Sequence, residues 1–290
     1  MLLAGIQWIP QPPVAIPDAP KVPHEFFVEL KIPRPQFAPT VPITVFGETH
    51  FFLIDTGCTV SIFDERFKER LGPPLQTWAR MQAAGESKRM ELFRAPEMTV
   101  GQLRLPDSGK SLCVDFSRCR DDDGKMFFSG ILGLDILRHL VVQIDLERGL
   151  ATLTARAPEG LGPGIPMRLD KVPWIAAEIP ELGTMQIQLD TGALRSSAIT
   201  MQHDHFDALC RSQQIHGREE ETIWSIQGFH VRNAGTLDCI RIQKMKFESC
   251  RAARWHVSSL GWGFFNQCRK ITLDFPRKRL FLSQNSSPVE

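Results

Sequence analysis

The amino-acid sequence predicts an all-β protein built from two similar halves. Short apolar segments separated by Gly and Pro recur along the chain, at residues 25–31, 41–46, 50–54, 141–146 and 150–154. Helical patterns are confined to three short stretches, at residues 64–71, 134–140 and 204–211. The chain also resembles itself over a long interval, which is typical of a duplicated architecture.

The repeat consists of a strand, a turn, a second strand and an Asp-Thr-Gly tripeptide. The first copy has these elements at residues 41–46, 47–48, 50–54 and 55–57, and the second has them at 174–179, 180–183, 184–189 and 190–192. Each copy carries a Ser six residues after the Asp, and each half closes with a strand, a charged turn and a strand. One Asp-Thr-Gly tripeptide is expected by chance in roughly 6 of 100 chains of this length, and two in matching contexts in far fewer than about 1 in 100. The sequence therefore predicts two related lobes.

Three segments follow from this division of the chain. Residues 1–23 carry six prolines, which fix φ and remove hydrogen-bond donors, so we expect an extended N-terminal arm there. We place the first lobe at residues 24–157 and the second at residues 158–290.

Composition and charge exclude several classes of protein. The formal net charge is +1, so no overall field attracts nucleic acid. The sequence has no run of 18 or more apolar residues that could span a membrane, so we expect a soluble chain. The first basic residue is Lys21, so we expect no export signal. The seven cysteines show no C-x-x-C pair typical of a zinc site. Reduced thiols and a cytoplasmic location are the simplest interpretation.

An Asp-Thr-Gly tripeptide at the end of a strand suits a catalytic carboxylate. The strand fixes the Asp, the Thr can hydrogen-bond across a two-fold axis, and the Gly lets the backbone approach closely. When two such loops meet, like charges close together cannot both ionise, so Asp55 and Asp190 are expected to share one proton. The ionised member can then act as a general base on water while the protonated member hydrogen-bonds the scissile carbonyl.

The motifs at residues 52–57, 131–133 and 185–192 resemble those of the retropepsin-like aspartic peptidases. The resemblance implies two closed β lobes in one chain, pepsin-like in outline, with a peptide cleft between them and a sheet of about six strands joining them. It implies an aspartic endopeptidase that cuts a peptide or protein substrate without a metal or organic cofactor. Because both half-sites lie in one chain, we expect a monomer. The implied site residues are Asp55 and Asp190 as the catalytic pair, supported by Thr56, Gly57, Ser61, Thr191, Gly192 and Ser196.

The sequence departs from the family pattern in ways that make the two halves unequal. Cys58 and Ala193 follow the two tripeptides, Arg195 is charged where an uncharged residue is usual, and Ser259 replaces an apolar residue before Leu260-Gly261. By position, the flaps that close over substrate are predicted at Gln82, Ala83, Ala84 and Gly85 in the first half, and at Ile226, Gln227, Gly228 and Phe229 in the second. The flap aromatic is Trp78, Trp224 or Phe229.

Other functions remain open at this point. A duplicated fold that keeps the aspartates but binds peptides without cutting them is the main alternative, because fold does not fix function. A structural β protein, with Asp and Gly serving only as turn residues, is a third.

The remaining motifs have simpler explanations than a second chemistry. His203, Asp204, His205 and Asp207 point in different directions on a short helix, which disfavours a metal site. The run at residues 121–124 lacks the alternation of a calcium loop, and residues 277–279 fall at a hairpin turn. Cys58 has no His placed by sequence to activate it, so we interpret it as a packed thiol.

Overall fold

The computed structural model describes residues 7–8, 27–31, 39–83, 86–117, 119, 128–193, 198–225 and 228–284. Most of these residues lie in strands, and the predicted all-β class is confirmed. The helices are a 3-10 turn at Glu65–Phe67, then α1 (Lys68–Leu71), α2 (Leu134–Leu137), α3 (His203–Arg211) and α4 (Trp262–Phe265). In this part of the chain every helix is too short or too polar to span a bilayer.

The strands are numbered in chain order. The first ten are β1 (Gln7–Trp8), β2 (Phe27–Lys31), β3 (Thr40–Val45), β4 (Glu48–Ile54), β5 (Ile62–Asp64), β6 (Gln76–Ala83), β7 (Glu86–Phe93), β8 (Met98–Val100), β9 (Leu103–Arg104) and β10 (Ser111–Val114). The next seven are β11 (Gly130–Leu132), β12 (Val141–Asp145), β13 (Leu150–Thr154), β14 (Ile165–Pro166), β15 (Arg168–Leu169), β16 (Pro173–Ile179) and β17 (Gly183–Leu189). The last seven are β18 (Ile199–Gln202), β19 (Ile215–Ser225), β20 (Gly228–Ile242), β21 (Met245–Trp255), β22 (Ser259–Leu260), β23 (Cys268–Asp274) and β24 (Arg279–Gln284).

The predicted segments are present as strands and helices. Those at residues 41–46 and 50–54 are β3 and β4, and those at 174–179 and 184–189 are β16 and β17. Those at 141–146 and 150–154, which close the first half, are β12 and β13. The segment at 64–71 divides into the 3-10 turn and α1. The helix predicted at 134–140 is shorter in the structure, where α2 ends at Leu137. Of the N-terminal arm the structure describes only β1, which pairs with β6 through Trp8 opposite Met81.

Two of the three sheets repeat one strand order. The first sheet has the order β1-β6-β7-β10-β5-β11-β4-β3-β8-β9, and the second has the order β15-β16-β17-β22-β18-β21-β20-β19. Read in the reverse direction, the second sheet follows the seven strands from β6 to β3 of the first. The parallel pairs correspond as well, since β11 with β4 matches β22 with β17, and β10 with β5 matches β21 with β18.

A third sheet of six strands joins the two halves, in the order β14-β24-β23-β12-β13-β2. At its centre β12 pairs antiparallel with β23, and Gln143 Nε2 donates to Thr272 Oγ1 at 2.9 Å. Buried aliphatic and aromatic side chains of both halves form one continuous core that includes this sheet. The alternation of buried and less buried positions along β16 is typical of a strand with one face on such a core.

Candidate active site

The two aspartates lie at equivalent positions, each directly after a central strand. Asp55 follows β4 and Asp190 follows β17. The N–H of Asp55 donates to the carbonyl oxygen of Leu132 at 3.1 Å, and the N–H of Asp190 donates to that of Leu260 at 2.9 Å. Each aspartate is therefore fixed by the parallel strand beside it, β11 or β22.

The threonines of the two tripeptides bind each other across the interface of the halves. The Thr56 N–H donates to Thr191 Oγ1 and the Thr191 N–H donates to Thr56 Oγ1, both at 3.1 Å. The two hydroxyls donate in turn across the interface, from Thr56 to the Leu189 oxygen at 2.8 Å and from Thr191 to the Ile54 oxygen at 2.7 Å. These four hydrogen bonds hold the ends of β4 and β17 together.

The glycines of the tripeptides face the carboxylate of the opposite half. A Cβ atom built on Gly57 lies 2.5 Å from Asp190 Oδ1, and one built on Gly192 overlaps the Asp55 carboxylate. No other residue type fits without displacing these carboxylates. The crossed contacts place the Asp55 and Asp190 carboxylates in one buried site, where the charge of Asp190 acts on Asp55.

The surroundings of Asp55 favour its protonated form. Complete burial raises the pKa of Asp55 well above its ordinary value, and the neighbouring charge of Asp190 raises it further. The Gly57 N–H, which donates to Asp55 Oδ1 at 2.8 Å, acts in the opposite direction. On the other side the Ala193 N–H donates to Asp190 Oδ1 at 3.0 Å. Asp55 can therefore keep its proton at a pH at which an isolated aspartate has lost it.

Ser61 supports the loop that follows Asp55, with a partner that the sequence reasoning missed. Its N–H and hydroxyl donate to the two carboxylate oxygens of Asp135 at 2.9 and 2.8 Å, and its hydroxyl accepts the Gly133 N–H at 3.1 Å. Burial raises the pKa of Asp135 to about 6. The signal in the sequence was an Asp two residues after the Gly of residues 131–133. Ser196 lies outside the described residues.

The predicted flaps fall at the ends of two hairpins, β6–β7 and β19–β20. Gln82 and Ala83 end β6, and Gly228 and Phe229 begin β20, opposite Ser225 and Trp224. The Phe229 side chain is 68% exposed and Trp78 is 54% exposed. Four predicted flap residues lie outside the described residues: Ala84, Gly85, Ile226 and Gln227.

The other candidates from the sequence have structural partners. The Cys58 thiol is buried and donates to the Val60 oxygen at 2.9 Å, and burial raises its pKa well above the ordinary value, so it stays protonated. Asp207 accepts two hydrogen bonds from Arg254, at 3.1 and 3.2 Å. Within the described ranges, no group of three His, Cys, Asp or Glu side chains is placed to hold a metal ion. Residues 121–124 lie outside those ranges. Of residues 277–279, the first two lie in the turn between β23 and β24 and the third begins β24.

Part of the chain is similar to a known protein family. Residues 41–136 match a family model described as Aspartyl protease. The matched region contains the first Asp-Thr-Gly loop, Ser61, the 131–133 segment and Asp135. No curated protein matches the chain. The match supports peptidase activity in general and agrees with the all-β fold.

Proposed function

We propose that the protein is an aspartic endopeptidase whose catalytic pair is Asp55 and Asp190. The observation that carries the proposal is the reciprocal hydrogen bonding of Thr56 and Thr191, which holds two Asp-Thr-Gly loops face to face. A structural turn has no need of such crossed bonds, nor of glycines pressed against the opposite carboxylate.

The proposal includes a two-lobed organisation: an N-terminal arm at residues 1–23, a first lobe at 24–157 and a second at 158–290. The shared order and direction of seven strands in the two large sheets supports an origin by duplication. The boundary near residue 157 falls between β13 and β14, in a segment of irregular backbone. Since each lobe supplies one aspartate, a single chain contains the whole site.

In the proposed reaction the aspartate pair carries one proton. The ionised carboxylate takes a proton from a water molecule as the water oxygen attacks the peptide carbonyl carbon. The protonated carboxyl group hydrogen-bonds the oxyanion of the resulting tetrahedral intermediate, and at this point the pair carries two protons. Transfer of a proton to the leaving nitrogen then accompanies cleavage of the C–N bond, and the pair returns to its one-proton state.

The substrate is a peptide or protein, bound between the halves under the hairpins β6–β7 and β19–β20. All seven cysteines are free thiols, which supports the proposed reducing, cytoplasmic location.

The test is replacement of each aspartate by Asn, which keeps the shape but can neither take a proton nor carry the charge. We expect Asp55→Asn and Asp190→Asn each to lower peptide cleavage by at least about 10³-fold, and the double variant to lose no more, because the pair acts as one unit. Cleavage is measured on a diverse peptide library between acid and neutral pH by mass spectrometry. Asp207→Asn, which changes an aspartate on α3, is the control and should keep full activity.

Two outcomes would contradict the proposal. Cleavage that persists in Asp190→Asn would show that the second loop is not catalytic. Peptide binding by the unaltered protein without cleavage at any pH would instead identify a peptide-binding module on the same fold.

A further inference from the structure

Equivalent positions in the two large sheets differ sharply in polarity. Next to each aspartate, a row of side chains crosses three neighbouring strands. The first member of each row lies two residues before the Asp on the same strand. The first row, the apolar row, consists of Leu53 on β4, Ile131 on β11 and Ile62 on β5. The second row, the polar row, consists of Gln188 on β17, Ser259 on β22 and Thr200 on β18. All six side chains are buried.

The polar row is only partly satisfied by its own hydrogen bonds. Thr200 Oγ1 lies 2.8 Å from the Val257 oxygen and 2.8 Å from Ser259 Oγ, so these two hydroxyls are paired. Gln188 is fully buried, and among the described residues neither its amide oxygen nor its amide nitrogen has a hydrogen-bond partner. Burying an amide unpaired opposes folding, and such a group in a native protein calls for an explanation in function.

Gln188 faces the side of the sheet on which Asp190 lies. Side chains alternate along a strand, so Gln188 shares a face of β17 with Asp190, while Ile187 and Leu189 enter the main core on the other face. Ala193, which follows the second tripeptide, packs with Ile223 and Trp255 on this side. The polar row therefore lies beneath the hairpin β19–β20, next to the aspartate.

Less side-chain volume separates the polar row from its covering hairpin than in the first half. The apolar row continues through Leu112 and Leu92, whereas the polar row continues through Ala253 and Ala234. These alanines leave more room beside the polar row than the leucines leave beside the apolar row.

The covering hairpin is polar as well, and its buried arginine is paired. Arg232 on β20 is buried, binds Glu221 on β19 at 2.6 to 2.7 Å, and lies over the Trp255 ring at 5.3 Å. The equivalent cross-strand pair in the first hairpin is Met90 and Ala79. A charged ligand would compete with this ion pair, whereas an uncharged amide or hydroxyl would not.

We infer that Gln188 is a specificity-determining residue, which hydrogen-bonds an uncharged polar side chain of the substrate on the second-half side of the cleft. The apolar row gives the first-half side a preference for aliphatic side chains. The inference rests on the proposed peptidase function and names its substrate class: peptides that are aliphatic on one side of the cut bond and carry Asn, Gln, Ser or Thr on the other.

The test replaces Gln188 with the residue that the first half carries at that position. We expect Gln188→Leu to lower kcat/KM by roughly 10-fold for peptides with Asn or Gln in the second-half subsite, because one hydrogen bond in a buried site is lost. The same variant should raise kcat/KM for peptides with Leu in that subsite. The readout is the ratio of kcat/KM values for matched peptides that differ at that residue. Gln143→Leu is the matched control, because Gln143 is also buried but donates to Thr272 in the joining sheet. It should leave the ratio unchanged.

Thermal unfolding separates a specificity role from a structural one. Removing an unpaired amide should leave the melting temperature of Gln188→Leu equal to or above that of the unaltered protein. An unchanged Asn-to-Leu ratio of kcat/KM values, whatever the melting temperature, would overturn the inference and leave the peptidase proposal intact. A complete absence of cleavage by the unaltered protein would overturn both.

Discussion

Thr56 and Thr191 are reciprocal hydrogen-bond partners: each hydroxyl accepts the main-chain N–H of the other at 3.1 Å. Each hydroxyl also donates to the carbonyl oxygen of the residue before the opposite aspartate, Leu189 or Ile54. Each hydroxyl thus both donates and accepts a hydrogen bond across the interface, and both threonines are buried. The geometry of the two aspartates depends on this pair of side chains.

We expect Thr56→Val and Thr191→Val each to lower the free energy of unfolding by about 1 to 3 kcal/mol, because each leaves a buried N–H and a buried carbonyl unpaired. Thr→Ser at either position keeps the hydroxyl and should cost less. The double Val variant should lose less than the sum of the single changes, which a double-mutant cycle in urea measures. Strict additivity would show that the two hydroxyls do not act together. Thr44→Val, at an exposed hydroxyl pair, is the control and should change stability by no more than about 0.5 kcal/mol.

Gly57→Ala and Gly192→Ala should abolish peptide cleavage, because the added methyl group collides with Asp190 or Asp55 and separates the carboxylates. The matched control is Cys58→Ala, which installs the residue found at the equivalent position 193. It should retain activity, since the Cys58 thiol is protonated and packed. Inactivity of Cys58→Ala with a normal fold by circular dichroism would give the thiol a role that we do not assign to it.

Asp135 predicts a pH dependence of stability with a definite sign. Its pKa is about 6 in the folded protein and near 3.8 when unfolded, so the folded state binds the proton more tightly between these values. Its contribution to stability is therefore fully present below about pH 4 and is lost as the pH rises through about 6. Between pH 4 and 7 the unfolding free energy of Asp135→Asn should rise relative to that of the unaltered protein by up to roughly 3 kcal/mol.

Denaturant titrations at several pH values measure this difference, and Asp207→Asn supplies a control of opposite sign. The Arg254 guanidinium lowers the pKa of Asp207, so the stability contributed by Asp207 is present above about pH 4 and is lost in acid. The Asp207 variant should therefore lose stability relative to the unaltered protein as the pH rises. A flat difference for Asp135→Asn would show that Asp135 titrates normally.

The specific activity of the protein should stay constant on dilution, because one chain supplies both aspartates. Light scattering and an activity assay over the same concentration range measure this together. A fall in specific activity that tracks dissociation of a dimer would show that a second copy completes the site.

Features that depend on neighbouring residues, such as strands and the repeated Asp-Thr-Gly motif, could be predicted from the sequence. The strands that lead into Asp55 and Asp190 follow from apolar segments bounded by turn residues, and the duplicated context singled out these two aspartates. Partners distant along the chain could not be predicted in this way. Asp135 binds Ser61 across 74 residues, and only the folded sheet places them together.

The clustering of polar side chains from neighbouring strands could not be predicted from the sequence either. Gln188 lies in a segment that alternates like any half-buried strand, and only the register with Ser259 and Thr200 shows that three polar side chains meet. Ser259 departs from the family pattern in the sequence itself, but its neighbours on β17 and β18 cannot be identified without that register.

The six-stranded joining sheet sets the order of events during synthesis. Its central pair is β12 with β23, and β24 flanks β23, so the two halves can pair in this sheet only after β23, at residues 268–274, has been translated. Contacts so distant in sequence form slowly, because a long loop must be closed before they contribute. Asp55 is translated long before β23 exists, and it stays apart from Asp190 until the second half has folded. On the proposed function, a nascent chain therefore lacks a complete catalytic pair until both halves have been translated.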